Sequence, residues 1–155
     1  MKIRKANTGD IQEICELFFE TIKNINCRDY NEKQIAVWTS GYNDFNKWSG
    51  KIANQNFYVA ENEGLITGFA SVTDEGYIDY MYVHKDFQNS GIASSLLKVI
   101  EQTASDLKLK KLWAEVSLTA RPFFKSKEFE ITKVFFKKTG DVEFEDCIMT
   151  KIFDS

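Results

Sequence analysis

The stretch from Tyr77 to Val116 constrains this chain most. It opens with Tyr-Ile-Asp-Tyr-Met-Tyr-Val, an aromatic and β-branched run that favours a strand. Ile92, Leu96, Leu97, Val99 and Ile100 then follow at near-helical spacing, from Gly91 to about Leu107. Lys111 to Val116 returns to alternation, with Leu112, Ala114 and Val116 on one side. A strand, helix, strand step of this length implies a parallel pair joined by a crossover. The loop before the helix, Gln88-Asn89-Ser90-Gly91-Ile92-Ala93-Ser94, is short, small and polar. The first turn of a helix leaves N–H groups open and carries the positive end of its dipole, so this loop has the geometry of an anion cradle. It contains neither G-x-x-x-x-G-K-[ST] nor G-x-G-x-x-G, which argues against Walker-type and dinucleotide sites.

The rest of the chain reads around that step. Met1 to Lys5 is an edge strand. Asn7 to Asp10 supplies turn and capping residues, and Ile11, Ile14, Cys15, Phe18, Ile22 and Ile25 mark an amphipathic helix. A second helix is expected from about Asn31, with a break near Gly41 and a third helix from about Asp44 to Ala53. Phe57 to Glu61, Leu65 to Thr73 and Tyr77 to Val83 form a meander across turns at Gly64 and Gly76. Thr119 to Lys127 is a short helix with Pro122 in its first turn, and Phe129–Phe136 with Val142–Phe153 forms a final hairpin. The result is a mixed α/β sheet with helices on both faces. The 155 residues form one expected domain, 1–155, able to bury a full core without staples.

Bulk composition removes several classes. The net charge of −3 gives no electrostatic case for a nucleic-acid partner. There is no signal-peptide pattern and no apolar run near 18 residues, so no membrane partner and a cytoplasmic location are expected. Cys15, Cys27 and Cys147 form no C-x-x-C, and Cys15 reads as a small hydrophobe. A single histidine, His84, cannot build a zinc site with these neighbours and reads as a solvated loop residue, so no metal is expected.

The pattern Gln88-x-x-Gly91-x-Ala93 resembles the [QR]-x-x-G-x-[GA] pyrophosphate loop of the GNAT superfamily of acyl-CoA N-acyltransferases. The order of elements is the GNAT order. Met81-Tyr82-Val83 matches the family's [LM]-x-V run, and Ser117 to Phe129 falls on its N-x-x-A-x-x-[LF]-Y-x-x-x-G-F. The whole chain is similar to a small bacterial subgroup, the YafP-like acetyltransferases, through Tyr30-x-x-x-Gln34-x-x-x-Trp38, Tyr77-Ile78-Asp79 and Ser117-x-x-Ala120-Arg121-Pro122-Phe123-Phe124. The resemblance implies a mostly antiparallel central sheet of about seven strands. It implies acetyl-CoA as co-substrate and a primary amine of a small molecule or peptide as acceptor. It assigns the cofactor to Gln88, Asn89, Ser90, Gly91, Ile92, Ala93 and Ser94, to the strand at Met81, Tyr82 and Val83, and to Phe124.

Three positions depart from the family pattern. Phe124 stands where many members carry a tyrosine that protonates the leaving thiolate, Ser117 replaces an asparagine, and Glu128 replaces a glycine. The turn at Glu128 is expected to be rebuilt locally, because a side chain at φ > 0 is strained. Phe124 keeps open a non-catalytic acyl-CoA-binding module or sensor as the alternative function.

Amine acetylation needs a proton acceptor, because an alkylammonium titrates near pH 10.4 and only about one part in a few thousand is free base at pH 7. Asp79 and Glu115 are the candidate bases. Asp79 sits in a strand otherwise aromatic and aliphatic, and strict alternation puts Tyr77, Asp79 and Met81 on one face. Glu115 lies in the adjacent strand, two residues before Ser117, which completes the catalytic set. Trp38, Tyr42 and Trp48 suggest an aromatic wall for the acceptor. Exposed edges in the last hairpin permit a homodimer.

Overall fold

A computed structural model describes residues 1–153. Seven strands form one sheet in the order β1-β2-β3-β4-β5-β7-β6. The strands are β1 (Lys2–Lys5), β2 (Asn56–Asn62), β3 (Leu65–Val72), β4 (Tyr77–Val83), β5 (Lys111–Val116), β6 (Glu130–Thr139) and β7 (Val142–Ile152). The helices are α1 (Ile11–Asn24), α2 (Glu32–Thr39), α3 (Phe45–Asn54), α4 (Ile92–Asp106) and α5 (Arg121–Ser126). The elements match those expected from periodicity. Among the described residues only β4 and β5 pair in parallel, and the other pairs are antiparallel. No described helix is long and apolar enough to cross a membrane.

Each face of the sheet closes its own core. On one face α4 lays Ile92, Leu96, Leu97 and Ile100 over Ala70, Ile78, Leu112 and Ala114, joined by Phe124 of α5. On the other, α1 and Trp48 of α3 cover Phe57, Val59, Phe69 and Tyr80. Gly68 sets how closely α4 approaches. A Cβ there would lie 2.8 Å from Ile92 Cγ2 and 3.1 Å from Leu96 Cδ1, so the helix seats directly on bare backbone.

Two features of β4 prepare the site. First, the register with β3 slips by one residue: Ser71 faces Tyr80, but Val72 faces Ile78. Asp79 is the extra residue of a β-bulge. Strict alternation therefore fails here, and it corrects the expected face. Met81 packs toward the α4 core, whereas Asp79 meets Lys51 of α3 and Gln55 just after it on the opposite face. Second, β4 and β5 pair only at Tyr77–Trp113 and Ile78–Ala114. Beyond those two rungs the strands diverge.

The turn at Glu128 also differs from expectation. It is not rebuilt: Glu128 holds φ at 70°. The Glu128 N–H donates to Lys125 O at 3.1 Å, and the Phe129 N–H donates to Phe124 O at 3.0 Å. The latter is the long bond of a Schellman-type helix end, whose usual apolar contact is the edge-on packing of Phe129 on Phe124 at 5.1 Å. That closure holds Glu128 in a conformation normally left to glycine.

Candidate active site

The divergence of β4 from β5 opens a cleft of about 940 Å³. One of its walls is β4 and the start of α4. The His84 N–H donates to Thr67 O at 2.8 Å, continuing the β3–β4 ladder by one residue. The Gln88 side-chain amide donates to Val83 O at 2.7 Å, and Thr21 Oγ1 of α1 donates to the same oxygen at 2.9 Å. The Gln88 side chain thus fastens the loop to the strand end. Ser90 Oγ donates to Phe87 O, while Asn89 and Gly91 take φ of 59° and 84°. The first helical N–H to find its acceptor is Ser95, bonded to Gly91 O at 3.0 Å, so the amides of Ile92, Ala93 and Ser94 are open as helix geometry requires. A Cβ on Gly91 would meet nothing within 4 Å, so the fold needs glycine there for its φ rather than for space within the protein. His84 is only partly solvated: its ring packs edge-on to Phe87 at 5.3 Å, and Nδ1 accepts the Asp86 N–H at 3.1 Å.

The facing wall comes from β5, α5 and β7. Phe124 is buried in the floor against Phe123 and Phe129. Ser117 Oγ accepts the Ala120 N–H at 3.2 Å, which caps the turn into α5. Glu115 and Asp146 share the cleft-side face of β5 and β7, and Lys137 reaches them from β6. Lys137 Nζ lies 2.7 Å from Glu115 Oε1 and 3.7 Å from Asp146 Oδ2. Burial and a hydrogen bond with Glu115 push the Asp146 carboxyl up to about 6. Burial raises the Tyr77 phenol as well, aided by the charges of Glu115, Asp79 and Asp146.

Asp79 lines the same cleft, but its Oδ2 already accepts from Lys51 Nζ and Gln55 Nε2, both at 2.8 Å. Gln55 Oε1 in turn accepts from buried Ser71 Oγ at 2.7 Å. This chain anchors the bulge to α3 and takes up one carboxylate oxygen.

The expected aromatic wall is partly corrected. Trp38 lines the cleft and packs edge-on to Tyr30 at 5.0 Å. Trp48 is 1% exposed, at the centre of the α1-side core, with its indole N–H donated to Tyr42 O at 2.7 Å. Tyr42 packs at a tilt on Phe19 at 4.4 Å, away from the cleft. The wall is instead Tyr30, Trp38 and Phe144, with Tyr30 and Phe144 rings 6.1 Å apart. The Tyr30-x-x-x-Gln34-x-x-x-Trp38 spacing has a structural reason. The Tyr30 hydroxyl accepts the Leu118 N–H at 2.8 Å, and Gln34 Nε2 donates to Glu143 O at 2.9 Å. The start of α2 and the residue ahead of it are thereby clipped to β7 and to the loop that follows β5.

Asp146 was missed by the sequence reading. Its signal is of the same kind that singled out Asp79. On β7 it alternates with Phe144 and Ile148, an acid set into an otherwise apolar face. Among the described residues no three His, Cys, Asp or Glu side chains group as metal ligands.

Residues 26–144 match the family model described as an acetyltransferase (GNAT) domain. The chain belongs to the GNAT acetyltransferase family. Escherichia coli K12 YafP, an uncharacterized N-acetyltransferase, is 31% identical over 133 residues, covering 86% of this chain and 83% of YafP. A GCN5-related N-acetyltransferase from Rhodopseudomonas palustris superposes with a TM-score of 0.93 at 24% identity, over 98% of this chain and 95% of that one. The PaiA N-acetyltransferase of Thermoplasma acidophilum, solved in complex with coenzyme A, superposes with a TM-score of 0.80 at 18% identity, over 98% of each chain. The seven-stranded, mostly antiparallel sheet with its split after the first rungs of β4 and β5 is thus a GNAT sheet.

Proposed function

We propose that this GNAT protein transfers the acetyl group of acetyl-CoA to a primary amine by direct attack within the β4–β5 cleft. The observation that carries the reading is the split itself. It exposes an unpaired strand edge beside a helix N-terminus and opposite two carboxylates. The coenzyme A complex of the T. acidophilum relative supports the choice of donor.

Each part of the chemistry has a group available. The amides from Gln88 to Ser94 receive the pyrophosphate at the positive end of α4. Main-chain groups at the free edge of β4, from Met81 to Val83, lie along pantetheine, and an N–H there polarises the thioester carbonyl as it becomes an oxyanion. Phe124 gives the acyl group an apolar floor. Ser117, whose Oγ accepts from Ala120, keeps its own hydrogen free for the sulfur. Phe124 has no proton to give, but a thiol titrating near 8.5 leaves as thiolate without a dedicated acid. With Oδ2 held by Lys51 and Gln55, Asp79 is proposed to position the amine, and the base is sought on the Glu115 side.

The test is amine-dependent thiol release from acetyl-CoA across a panel of primary amines, beside calorimetry with coenzyme A. Turnover with at least one amine is expected. Tight binding of acetyl-CoA with no turnover on any amine would favour a non-catalytic acyl-CoA-binding module, the reading that Phe124 motivates. Exposed Ile131, Val134 and Phe136 on edge strand β6 support a homodimer, and a monomer mass in sedimentation would reject it.

A further inference from the structure

β7 runs antiparallel to β5 with Ile148 opposite Glu115 and Cys147 opposite Val116. Asp146 therefore stands one residue beyond the last rung, level with the point where β5 gives way to the cleft. Its side chain is 15% exposed, and Oδ1 is fixed by the Cys147 N–H at 2.9 Å. Its other oxygen faces Lys137 Nζ, which also bonds Glu115. Two carboxylates from different strands thus already hold a primary alkylammonium inside the cleft. That ammonium arrives on a long stem from the exposed edge strand, with the Lys137 side chain 53% exposed. It is free to swing out, as no other described contact holds it.

We propose that Asp146, paired with Glu115, is the catalytic base: it receives the acceptor's primary alkylammonium at the place now held by Lys137 and takes its proton. The step rests on the acetyl-transfer reading. One proton of the ammonium passes to Asp146 and later to solvent. The nitrogen lone pair then forms the C–N bond at the thioester carbon. The C–S bond breaks, and the thiolate keeps its electron pair and takes the second nitrogen-borne proton. Amide, free thiol and one released proton balance the reaction.

The groups facing Asp146 are Glu115 from β5, Tyr77 from β4, Lys137 from β6, Tyr30 ahead of α2 and the neighbouring Cys147 on β7, while Arg121 of α5 acts on the Cys147 thiol and pairs with Glu145. Burial, with Glu115 acting in the same direction, lifts the carboxyl to about 6, near the range in which a base works best at neutral pH. Lys137 acts in the opposite direction and lowers it.

The experiment is the pH profile of amine kcat/KM for wild type, Asp146→Asn and Lys137→Met, with coenzyme A affinity measured on the same samples. Wild type is expected to lose activity on the acid side with a midpoint near 6. Asp146→Asn is expected to fall about 100-fold with that limb gone and coenzyme A affinity unchanged. Lys137→Met is expected to move the limb to higher pH and to lower the amine KM, since a competing ammonium is removed. An Asp146→Asn enzyme within twofold of wild type and keeping the limb would overturn the assignment. If that variant does not fold, a Lys137→Met limb that stays in place overturns it equally. A wild type that binds coenzyme A but acetylates no amine overturns the acetyl-transfer reading itself, and this base with it.

Discussion

The two walls of the cleft are built in opposite ways. The β4–α4 wall is made of backbone: an unpaired strand edge, open amides, and a loop fastened by Gln88 and Thr21 to a single carbonyl, Val83 O. The β5–β7 wall is made of side chains delivered from three strands, with Glu115, Asp146 and Lys137 meeting over long sequence separations. Backbone geometry suits a ligand part that does not change, such as a pyrophosphate and a pantetheine amide. Side chains suit the part that varies, an acceptor amine and its proton. The contrast also predicts which substitutions touch which job.

The largest expected effect is on the backbone wall. Gly68→Ala places a methyl 2.8 Å from Ile92 and 3.1 Å from Tyr82 O, so α4 must lift from β3. A loss of up to about 3 kcal/mol of stability is expected. Coenzyme A affinity should fall with it, which calorimetry reads beside a denaturant melt. Unchanged affinity would break the claim that α4 seating sets the cradle.

Next comes the clip between the walls. Tyr30→Phe removes the acceptor of the Leu118 N–H. Leaving a part-buried donor unpaired costs about 1 kcal/mol. Amine KM is expected to suffer more than coenzyme A affinity, because Tyr30 borders Trp38 and Phe144 on the wall proposed for the acceptor.

A smaller effect sharpens the other wall. The Asp146 carboxyl is raised from its ordinary value to about 6, so it favours the folded state when protonated. That contribution is fully present below the unfolded value near 4 and is lost as pH rises through about 6. Melting temperature is expected to drop by a few degrees across that window. Asp146→Asn should flatten the dependence and melt above wild type at pH 8, since the amide carries no buried charge. Equal pH dependence in the two proteins would contradict the strained carboxylate.

The smallest effect lies outside both walls. Glu128→Gly relieves φ of 70° at the Schellman turn. A gain under about 1 kcal/mol is expected, because the added freedom of the unfolded chain offsets part of the relieved strain. A destabilised variant would show that the Glu128 side chain does something beyond the turn.

The same contrast explains what could be read from sequence. The backbone wall is local: Tyr77 to Ile100 carries its own strand, glycine and helix, so the left-handed turn at Gly91 and the open amides after it were legible. The side-chain wall is not. The bulge at Asp79 depends on register with β3, which no local pattern records, and so Met81 and Asp79 were assigned one face. Trp48 and Trp38 look alike along the chain, yet one closes a core and the other faces a cleft, because burial is decided by how α3 and α2 pack. Asp146 is the clearest case. Its value as a candidate site residue comes from Glu115, 31 positions earlier, and a lysine on the neighbouring strand.

The division of labour is tested most directly by one measurement on the wild-type protein. Amine kcat/KM and coenzyme A affinity are followed together from pH 5 to pH 8. Amine kcat/KM is expected to rise through a midpoint near 6, where Asp146 gives up its proton, while coenzyme A affinity stays level. Two curves that rise and fall together, or an amine curve with no limb near 6, would contradict it.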